Sequence, residues 1–317
     1  MMALWLGTVK KMAESSAFWQ GFWRLADPKI SLASFAGLFL AACFAAADVG
    51  LAWGWLLLSV VGIFCVEVAK NASGEVVDFD SGTDLAITEA ERSPFSGGKR
   101  VLVDGLLTRE QTWRIAATFY LSAICIGLLI VVYRDSRVLL FGIIGMALAW
   151  YYHGGAVRLS YRGLGEIAVA IAYGPLVVCG AYFVQAGHLT APLIHVSMVL
   201  GLLVSAFLWI NQFPDYRADK AAGKYNLVVR LGLDASALVF VVMLITGYLW
   251  LILAAQHFTG ARGMLWGLVG AAPATFAAWR TLESHGEISK LVPAQAACLA
   301  SFVLMAAGSG LGYLALR

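Results

Sequence analysis

LWINQFPDYRADKAAGKYNLVVRLG, residues 208–232, joins the end of a long apolar run to a polar segment with regularly spaced side chains. Asn211, Asp215 and Asp219 recur at every fourth position, so a helix would stack them on one face. Carboxylates one turn apart repel each other, and oxygen ligands of this kind favour a hard divalent cation such as Mg²⁺. The stretch predicts a membrane helix that ends in a metal-binding stripe. A solvated helix end with incidental charges is the alternative for this stripe alone.

A second acidic stretch, VEVAKNASGEVVDFDSGTDLA at residues 66–86, repeats the pattern. Asn71, Glu75 and Asp78 are spaced for one helical face, and a Ser-Gly pair then breaks the helix before Asp84. A carboxylate deep in a membrane costs on the order of 2.5–3.5 kcal/mol, so clusters of carboxylates require a compensating partner. Two such clusters together favour a cation site over a pair of solvated helix ends.

The composition of the chain indicates an all-α, polytopic membrane protein. Its 317 residues are 61% hydrophobic and 13% charged, with a mean hydropathy of +0.80. Because a span needs about 17–25 apolar residues, we predict nine transmembrane helices. Their approximate ranges are 30–47, 51–70, 112–132, 138–152, 165–186, 192–213, 234–256, 263–282 and 291–315.

The basic residues orient these spans. Of the 22 Lys and Arg residues, 18 fall on the side of the N-terminus and four on the other, which places the richer side in the cytoplasm. Four spans separate Asp78 from Asp215, which predicts a parallel four-helix pseudo-repeat plus one further helix. Residues 1–29 carry Trp5, Trp19 and Trp23 and are predicted to form an interfacial segment, with a single transmembrane domain over residues 30–317.

The predicted cytoplasmic loops combine glycine with basic residues. RSPFSGGKRVLVDG at residues 92–105 contains Lys99 and Arg100 beside a Gly-Gly pair, a flexible arrangement suited to folding over an anion. Basic cytoplasmic loops are also the default under the positive-inside rule. The five cysteines are scattered without a CxxC pair, which predicts small buried hydrophobic residues, and the histidines have no ligand spacing.

Two carboxylate clusters among basic residues at the mouth of an apolar bundle suit a ligand with a diphosphate head and a hydrocarbon tail. Mg²⁺ between carboxylates and diphosphate would neutralise a leaving group, and basic side chains would stabilise the charge that develops on it. An allylic tail would ionise to a carbocation, which an electron-rich acceptor captures if water is excluded.

The acidic stretches occur together with GGKRVLVDGLL at 97–107, YRGLGE at 161–166 and GKYNLVVRLG at 223–232. This combination resembles the UbiA superfamily of intramembrane prenyltransferases, and within it the 1,4-dihydroxy-2-naphthoate prenyltransferases of menaquinone synthesis. The resemblance runs from about residue 65 to residue 235. It implies an all-helical bundle around a central cavity, two Asp-rich motifs that hold Mg²⁺ and diphosphate, and a lateral opening to lipid.

The first motif of that family, NDxxDxxxxxD, falls on Gly74, Glu75, Asp78 and Asp84. The motif Asn is therefore missing and the following acid is Glu. Asn71 lies one turn earlier on the same predicted face as Glu75 and is a candidate substitute for the missing Asn.

The second motif, NNxRDxxxD, falls on Asn211, Gln212, Pro214, Asp215 and Asp219. Pro214 stands in the place of a base and removes one helix hydrogen bond, so we expect a kink just before the ligands. Our hypothesis is that Arg217 restores the lost positive charge.

These observations predict Mg²⁺-dependent transfer of a polyprenyl group from its diphosphate to a small aromatic quinone precursor, 1,4-dihydroxy-2-naphthoate above others. The predicted metal ligands are Glu75, Asp78, Asp84, Asp215 and Asp219, the four aspartates being catalytic. The predicted substrate-binding residues are Asn71, Lys99, Arg100, Arg158, Tyr161, Asn211, Lys220 and Lys224.

Other interpretations stay open at this stage. Within the same class, the acceptor is 4-hydroxybenzoate, homogentisate or a chlorophyllide-type ring. From other classes, the chain is a cation-coupled transporter, a lipid-handling protein or a structural bundle, although transporters place their ionisable groups nearer the midplane. We expect an integral protein of a bacterial or archaeal cell membrane with its site on the cytoplasmic side. No nucleic-acid partner is expected, and the sequence leaves protein partners open.

Overall fold

The computed structural model describes residues 15–317. The first 14 residues of the predicted interfacial segment lie outside this range, and its described remainder is helical at 15–26 (α1). The longer helices are α2 (Pro28–Asp48), α3 (Trp53–Asp80), α5 (Arg109–Tyr133), α6 (Val138–His153), α7 (Gly165–Ile171), α8 (Val177–Ala186), α9 (Ala191–Ala221), α11 (Leu233–His257), α12 (Ala271–Ser284) and α13 (Ile288–Leu316). Short helices α4 (Thr83–Ala86) and α10 (Leu227–Leu231) follow α3 and α9. The predicted all-helical class is confirmed, since residues 15–317 contain no β-strand.

Seven helical segments of the described chain are long and apolar enough to cross a membrane: α2, α3, α5, α7 with α8, α9, α11 and α13. The predicted span at 138–152 corresponds to α6, an apolar helix of 16 residues. The predicted span at 263–282 corresponds to a 3-10 segment, Arg262–Gly270, followed by α12. The membrane-spanning architecture is thus established, whereas the count of nine spans stays a prediction.

Helix α9 lies at the centre of the bundle. Its side chains Leu200, Leu203 and Ile210 are fully buried in one core with Phe44 of α2 and Phe240 of α11. Lipid is as apolar as these side chains, so close helix contact depends on small residues rather than on a hydrophobic driving force.

Glycine pairs provide that close contact at two places. A Cβ atom on Gly201 of α9 would lie 2.2 Å from the Ala170 carbonyl oxygen, and one on Gly263 would lie 2.0 Å from the Gly312 carbonyl oxygen. Both distances are far below van der Waals contact, so a side chain at either position would force the backbones apart. The glycine-rich composition therefore serves helix packing.

Proline interrupts one helix and leaves another continuous. Between α7 and α8 the chain forms a π-helical turn, Ala172–Leu176, in which Gly174 has non-helical dihedral angles and Pro175 follows. This turn carries Tyr173, which lines a cavity inside the bundle. Pro214, where a kink was expected, does not interrupt its helix, because α9 is continuous from Ala191 to Ala221.

Helices α3 and α9 end in a similar way. They have 28 and 31 residues, and each passes through a turn into a short helix, α4 or α10. Gly82 ends α3 with a φ of 78°, as the Ser-Gly pair predicts. Four cysteines are buried as predicted. Cys125 is exposed instead, on the outer side of α5.

Candidate active site

Both acidic clusters open into one cavity of ≈ 780 Å³ at the end of the bundle where α3 and α9 end. The loop after α4 and the start of α2 also line it. The sequence-predicted residues in its lining are Asn71, Glu75, Asp78, Asp84, Lys99, Arg100, Asn211, Asp215, Asp219 and Lys224. The structure therefore brings together residues that are up to 153 positions apart in the chain.

Distant parts of the chain hold the first cluster in place. The backbone N–H of Leu102 donates to Glu75 Oε1 at 2.8 Å, and the Tyr161 hydroxyl donates to Asp78 Oδ1 at 2.8 Å. His153 Nδ1 lies 3.4 Å from the other Asp78 oxygen. Three separate segments thus position two carboxylates that leave the same helix, α3.

The Gly97-Gly98 loop closes over Asp84. Gly98 has a φ of 72°, and a Cβ atom placed on it would lie 2.3 Å from Asp84 Oδ1. Only glycine meets both requirements. Arg100 donates from its guanidinium to the Asp84 backbone carbonyl at 2.8 Å, and Lys99 forms an ion pair with Asp27. The basic loop thus lies against the acidic site, and its predicted folding over a bound anion stays a prediction.

The second cluster is held by the residues that follow it. Asn226 donates from Nδ2 to Asp219 Oδ2 at 2.7 Å, and Lys224 Nζ lies 3.5 Å from Asp219 Oδ1. The same ammonium is 5.7 Å from the centre of the Tyr161 ring, whose hydroxyl contacts Asp78. Lys224 and Tyr161 therefore connect the two clusters.

The electrostatics show an excess of negative charge beside the loop. Burial, together with the charges of Asp78 and Glu75, raises the pKa of Asp84 to about 8. For Lys224, burial acts to lower the pKa, but the carboxylates of Asp219 and Asp78 outweigh it and hold the pKa well above its ordinary value. A site with this charge balance favours an added cation.

Unpartnered oxygen atoms test whether the cavity fits a metal ion. Within the described part of the chain, five buried oxygens of residues that line this cavity accept no hydrogen bond: Glu75 Oε2, Asp84 Oδ2, Asn211 Oδ1, Gln212 Oε1 and Asp215 Oδ1. Buried acceptors are normally paired, and these belong to both clusters and are all oxygen, as Mg²⁺ prefers. In residues 15–317 no three His, Cys, Asp or Glu side chains are already grouped at ligand distance. The donor set fits a hard cation whose remaining ligands come from a phosphate group or water.

Some predicted residues lie elsewhere. Arg158 and Lys220 are exposed and lie outside the cavity lining, where they pack over Tyr161 and Tyr216. Arg217 does not restore charge at the site, because its guanidinium is paired with Glu91 at 2.6 Å and its side chain is 68% exposed.

Asn71 lines the cavity, but its amide donates to the Leu25 carbonyl at 2.8 Å. This hydrogen bond fixes α1 to α3. The amide group of Asn71 is thereby turned toward α1, so a role as substitute for the missing motif Asn stays a prediction.

Sequence reasoning missed two residues around the site. His153, at the end of α6, had no partner at ligand spacing because its neighbour Asp78 is 75 positions away. Glu166 was interpreted as a helix-terminal acid. It is buried and accepts hydrogen bonds from Gln212 Nε2 at 2.9 Å and from the Leu227 N–H at 3.1 Å. The only signal in the sequence was their position at the two ends of the Gly- and Arg-containing segment 153–166.

A second cavity of ≈ 230 Å³ adjoins the first and lies between α3, α5, α6 and the α7–α8 segment. Its walls are almost entirely apolar. Lys70 and Tyr152 line both cavities and so mark the junction between them. A polar chamber with an apolar extension matches a ligand that has a charged head and a hydrocarbon tail.

Comparison with known proteins follows this geometry. The sequence model of the UbiA prenyltransferase family matches residues 35–291. The chain is 25% identical over 233 residues to 1,4-dihydroxy-2-naphthoate octaprenyltransferase of Bacillus subtilis, with 74% of this chain and 73% of that protein covered. It is 30% identical over 181 residues to 2-carboxy-1,4-naphthoquinone phytyltransferase of Synechocystis, of which it covers 55%.

Solved structures share the fold. A UbiA homolog from Aeropyrum pernix superposes with a TM-score of 0.67 at 16% identity, covering 88% of this chain and 96% of that one. A UbiA homolog from Archaeoglobus fulgidus, bound to GPP and Mg²⁺, has a TM-score of 0.61 at 13% identity, covering 93% and 99%. At such identities the comparison establishes the helical architecture alone.

Proposed function

This chain belongs to the UbiA prenyltransferase family, and we propose that it transfers a polyprenyl group from an allylic diphosphate to 1,4-dihydroxy-2-naphthoate with the help of Mg²⁺. We propose this acceptor because the names of the relatives described above specify naphthoate or naphthoquinone rings. We propose the donor and the metal because one homolog was solved with GPP and Mg²⁺ bound. We also propose that residues 30–317 act as one transmembrane domain whose site faces the cytoplasm.

One observation carries the proposal: two acidic clusters with unpartnered oxygens share a cavity, and this cavity adjoins an apolar one at Lys70 and Tyr152. A diphosphate would lie in the first cavity and its hydrocarbon tail in the second. The allylic carbon that joins them would then lie near Lys70 and Tyr152.

The proposed roles follow from position. Glu75, Asp78, Asp84, Asp215 and Asp219 would hold Mg²⁺, which when bound neutralises charge on the diphosphate. Lys224 and Arg100, which line the same cavity, would contact the diphosphate oxygens as the carbon–oxygen bond breaks. The loop over Asp84 would shield the resulting allylic cation from water.

The test uses purified protein in detergent or lipid discs, with Mg²⁺, a labelled allylic diphosphate and a panel of aromatic acids. We expect one prenylated naphthalene product by mass spectrometry and no transfer after EDTA treatment. Asp215→Asn should lower the rate about a hundredfold to a thousandfold without lowering the melting temperature.

Asp234→Asn is the matched control. Asp234 is the acid of a surface pair with His285, its side chain is 99% exposed, and it lies outside the cavity lining. The control should keep wild-type activity. Full turnover by Asp215→Asn at saturating Mg²⁺, or no transfer by the wild type to any acid in the panel, would overturn the proposal.

A further inference from the structure

Two charged residues line the cavity proposed for the hydrocarbon tail, with which they cannot form polar contacts. Glu67 and Lys70 are one turn apart on α3, and both line the cavity that is otherwise apolar. Glu67 is 8% exposed. A polar group in such surroundings is costly unless it has a partner, so the pair indicates a ligand other than the tail.

The surroundings of the pair already supply directed hydrogen bonding. Ser34 Oγ donates to Glu67 Oε1 at 2.5 Å, and Tyr173, carried by the π-helical turn, places its hydroxyl beside the same carboxyl group. Lys70 Nζ lies 5.5 Å from the centre of the Tyr152 ring. Among the described residues Lys70 has no ion-pair or hydrogen-bond partner for its ammonium group. Its charge is therefore available to a ligand.

We propose that Glu67, Lys70 and Tyr152 form the acceptor site and select a hydroxylated aromatic acid. In this site the Lys70 ammonium pairs with the carboxylate of the acceptor, and the Tyr152 ring packs against its aromatic face. The Glu67 carboxylate accepts the hydrogen bond of an acceptor hydroxyl. The inference rests on the proposed function and adds the residues that recognise the acceptor.

The position of the site matches its task. Lys70 and Tyr152 line both cavities, so an acceptor held by them lies at the junction where the allylic carbon of the donor must lie. Holding both partners in contact supplies orientation that free solution lacks. An acid is favoured over a neutral ring, because the carboxylate gives the Lys70 ammonium a partner in apolar surroundings.

The chemical step balances at this site. The acceptor hydroxyl passes its proton to Glu67, and a ring carbon forms a bond to the allylic carbon while the carbon–oxygen bond of the donor breaks. The electron pair of that bond leaves with the diphosphate. The resulting dienone regains aromaticity when the attacked carbon loses its proton to the released diphosphate, or loses its carboxylate as carbon dioxide with the electron pair of that bond returning to the ring. Glu67 then returns its proton to the oxygen.

The experiment compares 1,4-dihydroxy-2-naphthoate with 1,4-naphthalenediol, which lacks only the carboxylate. Lys70→Met should raise KM for the acid about tenfold or more, from loss of a charge-assisted hydrogen bond, and should leave KM for the diphosphate unchanged. The preference of the wild type for the acid over the diol should disappear. Glu67→Gln should lower kcat for both acceptors about tenfold or more.

The surface pair Glu287 and Lys290 has the same three-residue spacing and is exposed, so Glu287→Gln and Lys290→Met are matched controls. Binding of the naphthoate acid alone tests the site without turnover, and it is measured by the quenching of tryptophan fluorescence. Unchanged acid binding and unchanged acid preference in Lys70→Met would overturn the inference while leaving the transferase function intact. If the wild type bound the acid normally but showed no transfer, the proposed function would be rejected instead.

Discussion

The two acidic clusters line the same cavity but are held in place by different parts of the chain. The second cluster is stabilised by its own chain segment, because Lys224 and Asn226 follow Asp219 within seven residues. The first cluster depends on segments from α6, from the turn before α7 and from the loop at 97–102. A motif that is held by its own chain segment can therefore be recognised from sequence. A motif that is held by distant segments can differ in residue type and still occupy the same place in the fold.

Gly74 shows how such a change is accommodated. It stands where the family motif has Asn, and a Cβ atom on it would lie 2.7 Å from His153 Cδ2. The imidazole occupies the space that an asparagine side chain would need, and it reaches Asp78 from there. The departure at Gly74 and the unexpected His153 are thus one feature of the site.

Glu75 shows the same principle. Its side chain is one methylene longer than the aspartate of the motif, and one carboxylate oxygen accepts from the Leu102 backbone while the other remains free. The loop at 97–102 is thereby fixed to α3. The first cluster and its covering loop form one unit.

The largest expected effect tests that unit. Gly98→Ala places a methyl group 2.3 Å from Asp84 Oδ1 at a φ of 72°, so the loop must move away from the acid. Strain of this kind costs about 1–2 kcal/mol before the clash is counted, and we expect transfer to fall about a hundredfold. Steady-state kinetics with the allylic diphosphate measure it.

Gly105→Ala is the matched control for this variant. Gly105 has a φ of 65° in the same loop, but a Cβ atom there meets nothing within 4 Å. It shares the backbone strain and lacks the clash. Equal losses in the two variants would show that the contact between Gly98 and Asp84 is unimportant, and the covering loop would lose its assigned part in the site.

A smaller effect tests the exchange at position 74. Gly74→Ala should push the His153 ring away from Asp78 and lower kcat about tenfold, the size of a typical coupling between residues in contact. In a His153→Ala background the same substitution should cost little, because the ring it displaces is gone. Kinetics of the two single variants and the double variant measure the coupling.

Gly54→Ala, in the same helix with nothing within 4 Å of its Cβ position, controls for helix effects. Additive losses in the double variant would mean that Gly74 and His153 act independently. The space-filling explanation for the missing motif Asn would then be wrong.

The sequence predicted the parts of this molecule that are local. Apolar run length gave the helices, the Ser-Gly pair gave the end of α3, and the four-residue spacing placed Asn211, Asp215 and Asp219 at one cavity. It did not give His153 or Glu166, because their partners lie 75 and 46 positions away and no periodicity connects them. Long-range partners of this kind become visible only when the helices are packed.

Arg217 provides the smallest expected effect and the sharpest contrast with the first cluster. The side chain leaves the helix just after Asp215, yet it points outward to Glu91, and this ion pair holds the pKa of Glu91 down at about 2. Neither partner of this pair lines the cavity, so Arg217→Ala should leave kcat and both KM values within about twofold. A much larger loss, seen specifically in KM for the diphosphate, would mean that the guanidinium turns inward when substrate binds. The second cluster would then depend on a rearrangement, and its self-contained support would hold only for the unliganded protein.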